Sequence, residues 1–134
     1  MATTTATLTL SSTDLLSDEL ALNTTATLTA AGNSTGLTAA IGLSRITISD
    51  TSETTLFDAS AYTDDSAHKM YIKNTSVTAA QYLLIKVGGT ELGRLYAGDF
   101  LFAPWGADTT STDCDVTATP SHSGMTIEYM AFID

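Results

Sequence analysis

The sequence predicts an all-β protein, an antiparallel β-sandwich or barrel with at most one short helix, and three observations carry that expectation. Threonine fills about one position in five, and a β-branched side chain stiff at χ1 suits a pleated surface better than a helix. Charged residues are only 15% of the chain, against roughly 25% in an average soluble domain, so the Lys and Glu that coat exposed helices are scarce. From residue 68 onward apolar and polar residues alternate with period two. The alternating segments are separated by turn signals about every eight to twelve residues, the spacing of a sandwich or barrel.

The elements follow in order. The pentapeptide TATLT occurs at 5–9 and again at 25–29, and in both copies Leu alternates with Thr as in a half-buried strand. The two copies read either as a duplicated strand motif or as chance in a Thr/Ala/Leu-rich segment. Residues 1–12 read as an extended N-terminal arm or an edge strand of a single domain that spans 1–134. Between the copies, SSTDLLSDELALN admits two readings. Ser12 or Thr13 caps a short helix near 13–20 carrying Leu15, Leu16, Glu19 and Leu20, or a turn feeds a strand over 19–29 in which Leu20 and Leu22 continue the alternation. Asn33 and Gly36 mark a loop.

SRITISD at 44–50 reads as a strand with Ile46 and Ile48 on one face, TTLFDAS as a further short strand, and AYTDDSAH as an acidic turn. HKMYIKN places Met70 and Ile72 opposite Lys69, Tyr71 and Lys73. QYLLIKV places Leu83, Ile85 and Val87 opposite Tyr82, Leu84 and Lys86. Gly88-Gly89 is a tight hairpin signal. In RLYAGDFLFAPW two strands meet at a turn where Gly98 supplies a permissive backbone and Asp99 bonds the turn's own amides. CDVTATP alternates again. MTIEYMAFID sets Met125, Ile127, Tyr129 and Ile133 against Met130 and Phe132.

Several of these strands are apolar on both faces: Leu84 beside Ile85, Leu101 between Phe100 and Phe102, Met130 and Phe132 after Tyr129. A small sandwich ordinarily keeps one face of each sheet polar. Either a loop covers the second face or another subunit does. On the second reading Leu84, Leu101, Phe102, Trp105, Met130 and Phe132 are the candidate interface residues. Phe100 and Phe102 share one face of their strand and Leu101 the other, and which is core stays open. Pro104 ends the pairing, and Trp105 anchors the strand end in the core or at a subunit contact.

Charge and chemistry remove other classes. The net charge is −10 with five Lys and Arg in total. Binding to DNA or RNA draws on cations that release phosphate counterions, and anionic membranes ask for the same residues, so neither is an expected partner. No apolar run approaches the roughly 20 residues of a membrane span. With no basic leader and one cysteine, the chain is expected to be soluble and made in a reducing compartment. His68 and His122 lie far apart, and PSHSG sets Ser121 and Ser123 beside His122 without the spatial partner a triad needs. Cys114 lies between Asp113 and Asp115, without the basic neighbours of a reactive thiol. One Cys and two scattered His make no zinc set. Asp64, Asp65 and Ser66, with Asp108, Asp113 and Asp115, offer oxygens but no EF-hand spacing. GGTELGR lacks the Gly-Lys-Ser/Thr of a phosphate loop. The sequons at Asn23, Asn33 and Asn74 are what a Thr- and Ser-rich chain contains by chance. No catalytic residue, cofactor or metal is expected.

MYIKNTSVTAAQYLLIKV, ELGRLYAGDFLFAPWGA and CDVTATPSHSGMTIEYMAFID resemble the C-terminal half of small virion structural proteins of tailed bacteriophages, in particular phages of cyanobacteria and other marine bacteria. The shared pattern is Y-I-K-N, a hairpin strand, L-x-A-G-D followed by aromatics and P-W, a V-T-x-x-P strand and a closing E-Y-M strand. MATTTATLTLSSTDLLSD is similar to their Thr-rich start, and residues 30–66 match least. The resemblance implies a jelly-roll-like antiparallel β-sandwich that forms a homo-oligomer, a trimer, and binds the major capsid protein or another virion protein as a capsid cement or decoration protein. It carries over no catalytic or binding residues. Packaged DNA would repel the acidic chain, which agrees with the outer surface of the capsid. A second reading is a tail or fibre component that recognises carbohydrate, with Trp105, Tyr62, Tyr71 and Tyr82 as stacking candidates.

Overall fold

The computed structural model describes residues 4–15, 17–29, 36–37, 39–64, 66, 68–108 and 114–133. The strands are β1 (Thr4–Ser12), β2 (Leu20–Leu28), β3 (Ala39–Ile48), β4 (Thr54–Phe57), β5 (Lys69–Asn74), β6 (Tyr82–Val87), β7 (Thr90–Tyr96), β8 (Phe100–Pro104), β9 (Val116–Pro120) and β10 (Met125–Ile133). Eight of them form two four-stranded sheets, in the orders β3-β10-β5-β8 and β4-β9-β6-β7. The antiparallel pairs β3–β10, β4–β9, β5–β8 and β6–β7 nest one inside the next around the β6–β7 turn. This is one long hairpin rolled over on itself, with β10 against β5 and β9 against β6 closing the roll. It is the double Greek key of a jelly roll, so the expected all-β sandwich is the fold observed.

Period-two alternation puts the apolar side of each strand between the sheets. Ile72, Ile127 and Ala131 of the first sheet meet Leu83, Ile85, Val116 and Ala118 of the second, all essentially without solvent contact. The Gly88-Gly89 hairpin has both residues at positive φ, 56° and 74°, the twist that matches two flanking strands and that side chains resist. At the next turn Gly98 has φ 85°, the Asp99 amide donates to the Tyr96 carbonyl at 2.9 Å, and Asp99 Oδ2 accepts from the Tyr96 amide at 2.9 Å.

The remaining two strands pair only with each other, as a separate two-stranded sheet. The repeated TATLT segments face one another in this hairpin, with Thr5 opposite Thr27, Ala6 opposite Ala26 and Thr7 opposite Thr25. No helix forms near 13–20 among the described residues. Ser12 Oγ instead accepts the amides of Asp14 and Leu15, a side-chain-to-backbone bond that closes a turn in place of a helix. Leu20 and Leu22 enter β2, where Leu22 faces Leu10. A short 3₁₀ turn, Ala59–Ala61, is capped by Asp58. No helix of the described residues is long and apolar enough to cross a membrane.

One ion pair sits on the outside of the second sheet. Lys86 Nζ lies 2.6 Å from Glu53 Oε2, and Thr117 Oγ1 donates to Glu53 Oε1 at 3.0 Å. The Lys86 bond first, and the Thr117 bond after it, hold the Glu53 carboxyl below its ordinary value of 4.5. A carboxyl lowered on folding adds stability that is complete above the unfolded value and is lost as pH falls through the folded one. Glu53→Gln is therefore expected to lower the urea midpoint slightly at pH 7 and to converge on the parent in acid, once the lowered carboxyl is itself protonated. The pair is partly exposed, which keeps the difference within about 1 kcal/mol. An equal difference at pH 7 and in acid would contradict the assignment.

Candidate assembly surface

The outer face of the sheet β3-β10-β5-β8 holds the side chains that the core does not use. In β5 the buried positions are Met70, Ile72 and Asn74, which turns Lys69, Tyr71 and Lys73 outward. In β8 Leu101 and Ala103 face the core, and Phe100, Phe102 and Pro104 face out. In β10 Thr126, Glu128, Met130 and Phe132 are on the outer side. Register then gathers the apolar ones: Tyr71 lies opposite Phe102 on one side and Met130 on the other. Phe132 reaches across β5 to Phe102, with ring centroids 6.2 Å apart at 74°. Phe100 is 58% exposed and Phe102 38%. A bulge in β3 sets Gly42 and Leu43 against Met130 alone, and Leu43 stands exposed at the margin. Contiguous apolar surface of this kind, rimmed by polar residues, is a candidate interaction surface.

The polar rim is cationic. Arg45, Lys69 and Lys73 all project from this sheet, three of the five Lys and Arg in the chain. The same four strands carry one acid, Glu128, paired to Arg45 at 3.2 Å. Thr47 and Thr126 share a hydrogen bond beside that pair. Burial, and then the Glu128 charge, raise the Tyr71 phenol above its ordinary value, so Tyr71 presents a neutral hydroxyl on this face. A groove runs between this surface and the β1–β2 hairpin, with Tyr71, Phe100 and Phe102 on one wall and Ala6 and Leu8 on the other.

The six residues predicted from sequence do not share one surface. Phe102, Met130 and Phe132 lie together on this outer face. Leu101 points the other way and packs against the core. Leu84 is on the outside of the second sheet, beyond the core, opposite Arg94 and Thr119. Trp105 is 4% exposed. Its ring contacts Phe57, Tyr62 and His68, and its Nε1 donates to the Cys114 carbonyl at 2.8 Å. Trp105 is thus a core anchor, because the chain past Pro104 turns inward and its amide bonds the His68 carbonyl. Tyr71 and Phe100 complete the surface. Their signal in the sequence was outward parity in strands whose inward positions are already apolar.

The residues weighed for chemistry fall elsewhere. His68 is fully buried, with Nε2 3.1 Å from the Thr63 carbonyl oxygen. Ser121 Oγ lies 2.9 Å from His122 Nδ1 and also accepts the Tyr82 amide, so it ties the β9–β10 turn to β6. Asp115 Oδ1 accepts the Ala59 amide. A bridge between Asp64 and Ala107 sets the two acidic turns side by side, and no group of three metal-ligating side chains occurs among the described residues. Asp65, Asp113 and Asn33 lie outside the described residues. Asn23 is exposed on the hairpin, whereas Asn74 of the third sequon is wholly buried. Asn74 Nδ2 donates to the carbonyls of Gln81 and Leu95, and its Oδ1 accepts the Ser76 amide. In the folded chain this asparagine is a structural clamp and not a glycan acceptor. Comparison with protein-family models, curated proteins and solved structures finds no match to this chain.

Proposed function

We propose that this protein is a structural protein of a tailed-phage virion, a cement or decoration protein that binds the outer capsid surface as a homo-oligomer. The observation that carries the reading is the outer face of β5, β8 and β10, where Tyr71, Phe100, Phe102, Met130 and Phe132 sit outside a core that is already filled. Each large apolar side chain covered by a neighbour contributes roughly 1.5–3 kcal/mol, so such a face favours contact with other protein. The sequence resemblance to phage virion proteins and the jelly roll, an architecture that viral capsid proteins share with lectins and cupins, support it further. A trimer is the oligomer the resemblance implies. The net charge of −10 favours the outside of the shell, away from packaged DNA.

A second reading, a tail or fibre component that binds glycans, has one observation in its favour. Tyr82 and Tyr96 lie 5.5 Å apart on the outside of the second sheet, with the Arg94 guanidinium 4.7 Å over the Tyr82 ring. Of the other stacking candidates Tyr71 faces outward, whereas Trp105 and Tyr62 belong to the core cluster. Gentle stripping of purified virions separates the readings. Release of this protein from heads that stay intact is the expected result. Release only together with tails would replace the cement reading with the tail reading, and absence from purified particles would end both.

A further inference from the structure

The β1–β2 hairpin has two unlike faces. Residues opposite one another in an antiparallel pair share a face. The register puts Ala6 with Ala26, Leu8 with Thr24, Leu10 with Leu22 and Ser12 with Leu20 on one side. The other side carries Thr5, Thr7 and Thr9 opposite Thr27, Thr25 and Asn23. One side is therefore a leucine stripe and the other a threonine surface. Among the described residues the stripe is most deeply buried at its base, where Leu28 is 6% exposed. Toward the tip Leu8, Leu10 and Leu22 remain 45%, 47% and 41% exposed. A two-stranded hairpin alone in water is marginally stable, so a ribbon of nine paired positions with a bare leucine stripe is a segment that requires a partner surface.

The same chain carries the complementary surface. Its own hairpin walls the groove with Ala6 and Leu8 yet leaves Phe100 and Phe102 open, and Leu10 and Leu22 lie outside that groove. The charges match as well. The hairpin tip presents Asp14, Asp18 and Glu19, all exposed, and no Lys or Arg occurs before Arg45. The aromatic face is rimmed by Arg45, Lys69 and Lys73 against the single acid Glu128. Acidic tip and cationic rim are a pairing that steers association and sets register.

We infer that the distal leucine stripe of the β1–β2 hairpin of one copy docks on the aromatic outer face of β5, β8 and β10 of a second copy. The inference rests on reading that face as a contact between copies, and it names the segment that fills it. The contact joins unlike elements, hairpin to sheet, so it gives a reciprocal twofold pair, a closed ring or an open filament according to the rotation between copies.

The test uses the full chain and its native mass by analytical ultracentrifugation, with circular dichroism and Trp105 emission to confirm folding. Wild-type protein is expected to sediment as an oligomer. Leu10→Asp/Leu22→Asp, remote from the sandwich core, is expected to weaken association by on the order of 100-fold or more, the loss that follows when two leucines leave an apolar contact. Phe100→Asp/Phe102→Asp is expected to do the same. A mixture of the two variants is expected to recover hetero-association, since each supplies the element the other lacks. Leu10→Thr/Leu22→Thr keeps strand propensity and is expected to dissociate too, which separates loss of the stripe from loss of the hairpin. Dissociation by the face variant but not by either hairpin variant would overturn the hairpin as occupant and leave the face as an interface. Wild-type mass in all variants, or a monomeric wild type, would overturn both.

Discussion

Asn74→Ala is expected to lower the stability of the fold by about 3–5 kcal/mol, a large part of the 5–15 kcal/mol that holds a typical domain together. The side chain occupies an inward position of β5 with no solvent contact. Its amide donates to Gln81 and Leu95 at 3.1 and 3.0 Å, and its oxygen accepts from Ser76 at 2.9 Å. Its backbone amide donates to the Asp99 carbonyl and its carbonyl accepts the Gly98 amide. One residue thereby ties the end of β5 to the approach to β6, the end of β7 and the β7–β8 turn. Alanine leaves two carbonyls and an amide in a confined space without partners, each costing about 1–3 kcal/mol. The check is urea denaturation followed by Trp105 emission, with the midpoint expected to fall at an unchanged slope. Thr75→Ala, which loses one bond to the Thr126 carbonyl at 2.6 Å, is expected to cost only about 1 kcal/mol. Equal effects of the two would show that Asn74 is no hub.

Trp105→Ala is expected to cost about 3–5 kcal/mol, the range for removing a large aromatic from a core. The indole packs 5.5 Å from Phe57, 4.8 Å from Tyr62 and 5.8 Å from His68. Phe57 in turn meets Tyr129 edge to face at 5.5 Å, so the ring cluster couples β4, β8 and β10. Trp105→Phe divides the effect into its parts. It keeps most of the packing but leaves the Cys114 carbonyl without its donor, and is expected to cost about 1–3 kcal/mol. Thermal unfolding by circular dichroism measures both. A Trp105→Ala protein with unchanged melting but reduced native mass would mean that the indole serves a contact between chains.

Much of the strand pattern was legible because side-chain parity in a strand is a local property. Met70 and Ile72 opposite Tyr71, and Leu83 and Ile85 opposite Leu84, follow from period two alone. The Gly88-Gly89 and Gly98-Asp99 turns follow from the backbone angles those residues allow. Of the two readings offered for SSTDLLSDELALN, the turn feeding a strand is the one observed, because Leu20 and Leu22 pair with Ser12 and Leu10 and this pairing outweighs a weak helix propensity. The structural role of Asn74 was not read from the sequence, where its sequon was set aside as chance. It lies in phase with Met70 and Ile72, however, and that phase already placed it inside.

Parity says which residues share a face but not which face is buried. Leu101 and Phe102 are adjacent and similarly apolar. Leu101 goes inward because β8 pairs with β5 in a register that sets Leu101 opposite Ile72 and Phe102 opposite Tyr71. That register depends on strands some thirty residues apart in the chain. Likewise, nothing local to Trp105 distinguishes a core anchor from a contact residue; the inward turn after Pro104 and the Cys114 carbonyl decide it. The sequence by itself determined the strands, their two faces and the tightest turns, since these depend on neighbours within a few residues. Only the tertiary structure decided which faces meet in the core, which gather into an outer aromatic surface, and that the first two strands stand apart as a hairpin, because burial is a property of distant strands brought together.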